Sequence, residues 1–427
     1  MTVAELFEEM LNNLKISNAD DIRNRRDEIT KALNKEFRDS ESETSNRLMV
    51  GSWGRFTAIN GISDLDLLYI LPSSLYDDYH KKDGCSKALT RVKNAISSHY
   101  SRSDIKVDRL VVVVQFSDYK FEVQPVFKNE DGSYQYPDTY KDQWKVTKPQ
   151  DEIDEISQLD ADASGNARKI CKYARAWKNK HDVEMNGLLI DTMVWKFLNE
   201  TENYHTESAE QDKMMRDFFE YLKDLPKQES WNALGSNQKI WVKKQFKGDA
   251  SEAYDLCCKA IDAEGKSTMQ EKWRAVFGKC VPLPASNQQS VNLIRYKDTE
   301  EFIQDLYPLR LEYELRIDCT VTQDGFRPAT LRDMIRHHKL LRVNKKLEFK
   351  IISTNVPEPF DVRWKVLNRG EEAMRRDQVR GQIIQSTSGR ARVEHTSFRG
   401  EHYVECYIIK NGFVVAQDHI AVPIRID

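Results

Sequence analysis

Hydrophobic positions along the chain change their spacing more than once, and each change marks a change of architecture. Between residues 17 and 38, Ile22, Ile29, Leu33 and Phe37 recur at multiples of the helical repeat. The stretch is expected to be a helix, with Ser17 and Asp20 resembling a capping box at its start. The polar run DSESETSN that follows reads as a loop. Residues 46–130 then set short apolar runs between polar breaks. Strands are expected at Arg47–Val50, Leu65–Leu71, Val107–Phe116 and Phe121–Val126, with a helix near Lys87–Ser98. From about 151 to 280 the period is helical, as in NARKICKYARAWKNK, LLIDTMVWKFL, MMRDFFEYLKDL and SEAYDLCCKAI. The segment VPLPASNQQS (281–290), two prolines among small polar residues, is the expected domain boundary.

Beyond residue 311 the period becomes two. Leu347, Phe349 and Ile351 alternate, as do Val362, Trp364 and Val366, and Tyr403–Ile409 is a further strand candidate. Asn411-Gly412 between apolar strands is the strongest short hairpin signal. One helix is expected in ATLRDMIRHHKLL (329–341). The fold class is therefore α+β. An α/β core at about 40–150 and a helical lobe at about 151–283 make up residues 1–283. Residues 284–305 are a linker, and 306–427 form a β-rich domain of sandwich type. There is no internal repeat.

Composition narrows the function classes. A chain of 427 residues has room for several domains. No apolar run approaches the roughly 20 residues of a membrane span, and MTVAELFEEMLNNL lacks the basic start of a signal peptide. Seven cysteines, odd in number and never spaced C-x-x-C, read as reduced thiols in the cytoplasm. A net charge of −3 argues against a grip on long nucleic acid. That average hides an asymmetry. Residues 306–427 carry 21 basic against 16 acidic groups, a net of +5, which leaves −8 for residues 1–305.

The chemistry concentrates in VGSWGRFTAINGISDLDLLYIL (50–71). A strand ends at Gly51-Ser52, where a turn into a helix offers backbone N–H groups and a hydroxyl to phosphate oxygens. Asp64 and Asp66 head the next strand. Alternate residues share a face, so both carboxylates project together while Leu65 and Leu67 face the core. Such a pair can hold two Mg²⁺ ions about 3.5–4 Å apart for in-line phosphoryl transfer. A third carboxylate, Glu122, comes from FEVQPV, on the opposite face from Phe121 and Val123.

The ordered set G-S-x-x-R-x-T, S-D-L-D and F-E-V-Q-P-V-F resembles the polymerase-β-type nucleotidyltransferase core. More narrowly it is similar to the bacterial cGAS/DncV-like nucleotidyltransferases (CD-NTases, SMODS). YPDTYKDQWKVTKP, NARKICKYARAWKNKHDV, NGLLIDTMVWKFL and EKWRAVFG look like further landmarks of that family. WKVLNRGEEA, RGQI and FRGEHYVECYIIKNG resemble the AGS-C sensor domain found behind such enzymes.

The resemblance implies a cytoplasmic bacterial enzyme that joins NTPs into a cyclic di- or trinucleotide for anti-phage (CBASS-type) signalling. A downstream effector is then reached through the product, with no membrane and no long nucleic acid as partner. It also implies Gly51 and Ser52 on the triphosphate, and Asp64, Asp66 and Glu122 on two Mg²⁺ ions, with Mn²⁺ as a substitute. Many members of the wider superfamily have Asp where Glu122 stands, and the extra methylene shifts the geometry. Arg175, two residues before Trp177, occupies the family's triphosphate-gripping position, with Lys172 as second choice. The stripe Arg168, Lys172 and Arg175 also fits a solvated basic face. Arg55 either neutralises phosphate or pairs with an acidic neighbour to hold the loop. Tyr136, Trp144 and Trp177 are either base-stacking platforms or core. Arg363, Arg369, Arg375, Arg376, Arg380, Arg390, Arg392 and Arg399 suit a small-molecule or anionic-ligand site, or a basic docking face. The alternatives are a terminal transferase acting on RNA or protein, and a ligand-binding protein with an inactive core.

Overall fold

The computed structural model describes residues 1–100, 103–283, 299–303, 306–322, 327–339, 341–368, 371–376, 379–386 and 390–424. Two units are present, one of residues 1–40 and 47–290, the other of residues 41–46 and 291–427.

The first helix, α1 (Val3–Leu14), is absent from the expectations above. Thr2 Oγ1 accepts from the Glu5 N–H, and the Glu5 carboxylate accepts from the Thr2 N–H at 2.7 Å, which closes a capping box. Its buried face, Leu6, Phe7, Met10 and Leu14, carries the helical spacing. Next, α2 (Ala19–Arg38) starts later than expected and its N-cap is Asn18, with no side-chain cap bond. Ser17 instead donates its N–H and hydroxyl to Asn60 Oδ1. Ile22, Ile29 and Leu33 are fully buried.

After β1 (Arg47–Met49) and the short α3 (Gly51–Gly54) come β2 (Asp64–Ile70), α4 (Tyr76–Tyr79) and α5 (Gly84–His99). Then follow β3 (Ile105–Asp108), β4 (Val111–Gln115), β5 (Lys120–Lys128), β6 (Tyr134–Asp138) and β7 (Gln143–Thr147). The sheet order is β1-β2-β5-β4-β3, with β6 and β7 extending from β5. Only β2 and β5 in that path run parallel. Leu65, Leu67, Phe121 and Val123 fill one face of the sheet, packed with Ile29 and Leu33 of α2 and Leu89 and Val92 of α5. The expected single strand Val107–Phe116 is a hairpin. It turns at Arg109-Leu110, without the Gly or Asn that would announce it. Arg109 is fixed instead by two 2.8 Å bonds from Nε and Nη2 to Asp138.

The helical lobe comprises α6 (Pro149–Asp162), α7 (Asn166–His181), α8 (Gly187–Asn199), α9 (Gln211–Asp224), a ribbon β8 (Ser230–Asn232) and β9 (Lys239–Trp241), α10 (Lys247–Ile261) and α11 (Met269–Phe277). Its core includes Tyr173, Trp177, Phe218, Phe219 and Trp273, and α1 closes it. Phe7 stands edge-on to Trp273 at 4.9 Å and to Tyr173 at 5.3 Å. Each such ring buried is worth about 1.5–3 kcal/mol.

The second unit holds β10 (Thr299–Glu300), β11 (Leu315–Thr322), β12 (Ala329–Thr330), α12 (Leu331–Arg336), β13 (Lys346–Thr354), β14 (Asp361–Leu367), α13 (Glu371–Arg375), β15 (Arg380–Gly381), β16 (Ile383–Gln385), β17 (Arg392–His395), β18 (Gly400–Lys410) and β19 (Phe413–Ile424). Two four-stranded sheets, β12-β11-β13-β17 and β16-β14-β18-β19, share a core around Phe349 and Trp364. Asn411 (φ 51°) and Gly412 (φ 80°) make the expected left-handed hairpin turn. The helix expected over 329–341 spans only Leu331–Arg336, because Ala329 and Thr330 pair with β11. From residue 284 onward the expected boundary segment lies outside the described residues. No helix among them is long and apolar enough to cross a membrane.

Candidate active site

Parallel pairing of β2 with β5 sets the register Asp64↔Lys120, Leu65↔Phe121 and Asp66↔Glu122. Leu65 and Phe121 point into the core, so Asp64, Asp66, Lys120 and Glu122 emerge together on the other face. The acids are crowded enough to disturb one another. Burial, then the charges of Glu122 and Asp64, push the Asp66 carboxyl up to about 6, while Arg55 and Lys120 pull it back. Lys120 Nζ donates to Glu122 Oε1 at 2.7 Å and lies 3.2 Å from Asp64 Oδ1.

Gly51 lies directly against this face. Gly51 has φ +63°, and a Cβ on it would run into Oδ2 of Asp66, so both backbone and space demand glycine. The Val50 N–H donates to the Asp66 carbonyl at 3.0 Å, which ties the turn to the acidic strand. The Thr57 and Ala58 N–H groups both donate to the Ser52 carbonyl, which folds the loop back on itself.

The three residues after α3 are pinned by three helices. Arg55 Nε donates to Asp191 on α8 at 2.8 Å, and its Nη1 to Glu152 on α6 at 3.0 Å. Phe56 lies under the guanidinium of Arg168 on α7, and Thr57 Oγ1 donates to Asp191 at 3.0 Å. Arg175 of α7 grips the same Asp191 with two bonds, 2.6 Å from Nη1 and 2.9 Å from Nη2, and also donates to the Cys171 and Gly187 carbonyls. All four charged members, Arg55, Arg175, Glu152 and Asp191, are buried. Burial alone would raise the Asp191 carboxyl, but Arg175 and then Arg55 overcome it and hold it down at about 2.

The stripe on α7 is therefore no solvated face. Arg168 and Arg175 are buried, with Arg168 3.4 Å from Asp160, and Lys172 is half-buried on the same helix. Trp177 is core. Trp144 stacks on His80 and donates to the Tyr79 carbonyl, and Tyr136 packs half-buried against the cluster that holds Leu48, Val126 and Ile153. Of the two roles open to Arg55, pairing with acidic neighbours is the one observed. Sequence reasoning missed Asp191, Glu152 and Lys120. Only Lys120, two residues before Glu122 on one strand, carried a local signal.

In the second unit the arginines are largely met by acids of the same unit. Arg375 and Arg376 bond Glu372, Arg390 bonds Glu358 through both nitrogens, and Arg380 and Arg392 share Glu394. Arg363 donates to the Tyr307 hydroxyl, and Arg369 lies outside the described residues. Between the sheets lies a cavity of about 480 Å³, with Leu347, Phe349, Val404 and Val422 on its apolar side and Arg380, Glu394 and His395 on its polar side. Arg380 Nε is buried there without a hydrogen-bond partner among the described residues.

Residues 1–160 match the family model of the Second Messenger Oligonucleotide or Dinucleotide Synthetase (SMODS) domain, and residues 297–425 that of the Adenylyl/Guanylyl and SMODS C-terminal sensor (AGS-C) domain. The chain carries a SMODS domain followed by an AGS-C sensor domain. The structure is similar to a chain of the Escherichia coli MS115-1 CdnC:HORMA-deltaN complex, at 17% identity and TM-score 0.51, covering 66% of this chain and 98% of that one. It is also similar to E. coli MS115-1 CdnC with ATP, at 15% identity and TM-score 0.49, over 66% of this chain and 99% of that one. Vibrio cholerae DncV cyclic AMP-GMP synthase follows at 14% identity and TM-score 0.46, over 55% and 69%. The first of these likenesses establishes the fold. Comparison with curated proteins finds no match.

Proposed function

We propose that this chain is a CD-NTase that joins nucleoside triphosphates into a cyclic di- or trinucleotide, with Asp64, Asp66 and Glu122 holding two Mg²⁺ ions, or Mn²⁺ in their place. The observation that carries the reading is the cross-strand pair Asp66↔Glu122, with Asp64 on the same face and Gly51 against it. Carboxylate oxygens are the donors that hard divalent cations prefer, and acids this crowded call for a cation. Among the described residues no three acids, histidines or cysteines are already gathered as a metal cage. When bound, the metal would lower the pKa of the acceptor hydroxyl and neutralise the leaving pyrophosphate.

The remaining work falls to the chain itself. The Ser52 hydroxyl and the N–H groups of the turn hold the triphosphate, and the missing Cβ of Gly51 lets the backbone approach Asp66. Arg55 and Arg175, committed to Asp191, fix the loop and the helices around it. Lys172, half-buried on α7, is proposed to contact the triphosphate as well. For ring closure, the linear intermediate re-enters the same face with its own hydroxyl as acceptor.

The AGS-C unit is proposed to bind a small molecule in the cavity between its sheets, whose volume falls in the range of ligand sites. An anti-phage signalling role, with an effector answering to the product, is consistent with a second-messenger synthetase domain followed by a sensor domain. The test is incubation with Mg²⁺ and mixed NTPs, followed by phosphatase treatment and mass spectrometry. A phosphatase-resistant cyclic product is expected. A product that is only linear and phosphatase-sensitive would assign the chain to terminal transfer instead.

A further inference from the structure

Lys120 carries a charged group into the middle of the carboxylate face. It is the cross-strand partner of Asp64 and stands two residues before Glu122, so the register alone aims its side chain at both. Its ammonium lies 2.7 Å from Glu122 Oε1 and 3.2 Å from Asp64 Oδ1. The two outer acids thus converge on an ammonium. The lysine side chain is about one-third exposed, so its flexible stem has a way out to solvent.

We propose that Lys120 is an internal counter-cation. It takes the electrostatic place of the divalent metal in the substrate-free enzyme and must be displaced before the metal binds. This rests on the reading of Asp64, Asp66 and Glu122 as the metal-holding set. Metal alone has to compete with a tethered cation that cannot diffuse away. Metal arriving with a triphosphate does not meet the same obstacle, because the phosphate oxygens give the displaced ammonium a new partner. The lysine thereby couples metal loading to nucleotide loading and disfavours an idle, metal-charged site.

The test is Mn²⁺ binding to the nucleotide-free full-length protein, followed by the electron paramagnetic resonance of free Mn²⁺. Wild type is compared with Lys120→Met and Lys120→Arg. Removing one unit charge a few ångströms from the ion should tighten binding on the order of tenfold in Lys120→Met. The gain should shrink as KCl is raised. Lys120→Arg keeps the charge and should bind as wild type does. Equal or weaker binding by Lys120→Met would overturn the proposal. So would equal tightening by both variants, which would make bulk the cause. Absence of Mn²⁺ binding in all three proteins would overturn the metal reading itself, and the lysine proposal with it.

Discussion

Asp191 has a fully buried side chain and accepts four hydrogen bonds, three of them from guanidinium groups. Asparagine has the same volume, so Asp191→Asn opens no cavity and isolates the effect of charge. It leaves Arg55 and Arg175 buried with Glu152 as the only remaining acid of the cluster, and it turns an amide N–H₂ toward groups that can only donate. Removing one partner of a buried ion pair costs about 3–5 kcal/mol. At about 2–4 °C per kcal/mol in a unit of this size, the melting temperature at pH 7 should fall by roughly 6–20 °C. Acid supplies an independent check. The folded carboxyl sits at about 2, below its ordinary 3.8. The stabilisation is therefore fully present above pH 3.8 and is lost as pH falls through 2. The stability gap between wild type and Asp191→Asn, measured by urea denaturation and circular dichroism, should be constant near neutrality and close over that acid window. A variant within about 0.5 kcal/mol of wild type at pH 7 would refute the reasoning.

The remaining predictions use other parts of the molecule. Gly51→Ala places a methyl against Asp66 in a left-handed backbone; nucleotidyl transfer should fall about 100-fold, with the protein still folded by circular dichroism. Phe7→Ala removes a ring packed on Tyr173 and Trp273 and should destabilise the first unit by about 3–5 kcal/mol in urea titrations. An apolar anion such as 8-anilinonaphthalene-1-sulfonate should fluoresce on binding the AGS-C cavity. Val366→Trp, which fills part of that cavity, should abolish the signal while the melting temperature stays near that of wild type.

What the sequence disclosed and what it hid divide along one physical line. Asp64, Asp66 and Glu122 were legible because strand alternation and an apolar flank fix which face each residue takes. The Asn411-Gly412 turn was legible because few residues tolerate that backbone. The helix Val3–Leu14 carried both its capping box and its spacing, yet its buried face has meaning only once Trp273, far along the chain, is known to pack on it. Asp191 was hidden for the same reason. Pairing with an acidic neighbour was one of the two roles open to Arg55, but nothing local names the acid, which lies 136 residues away. The turn at Arg109-Leu110 has no local signature, since a side-chain pair with Asp138 does the work that glycine would do.

The central claim is that the acids paired across β2 and β5 build the catalytic face. It is tested most directly by incubating wild type, Asp66→Asn and Glu122→Gln with Mg²⁺ and radiolabelled NTPs, and measuring phosphatase-resistant product per hour, each protein first shown to be folded. The account predicts robust synthesis by wild type and loss of about 1,000-fold or more in both variants. Undiminished synthesis by either variant would contradict it.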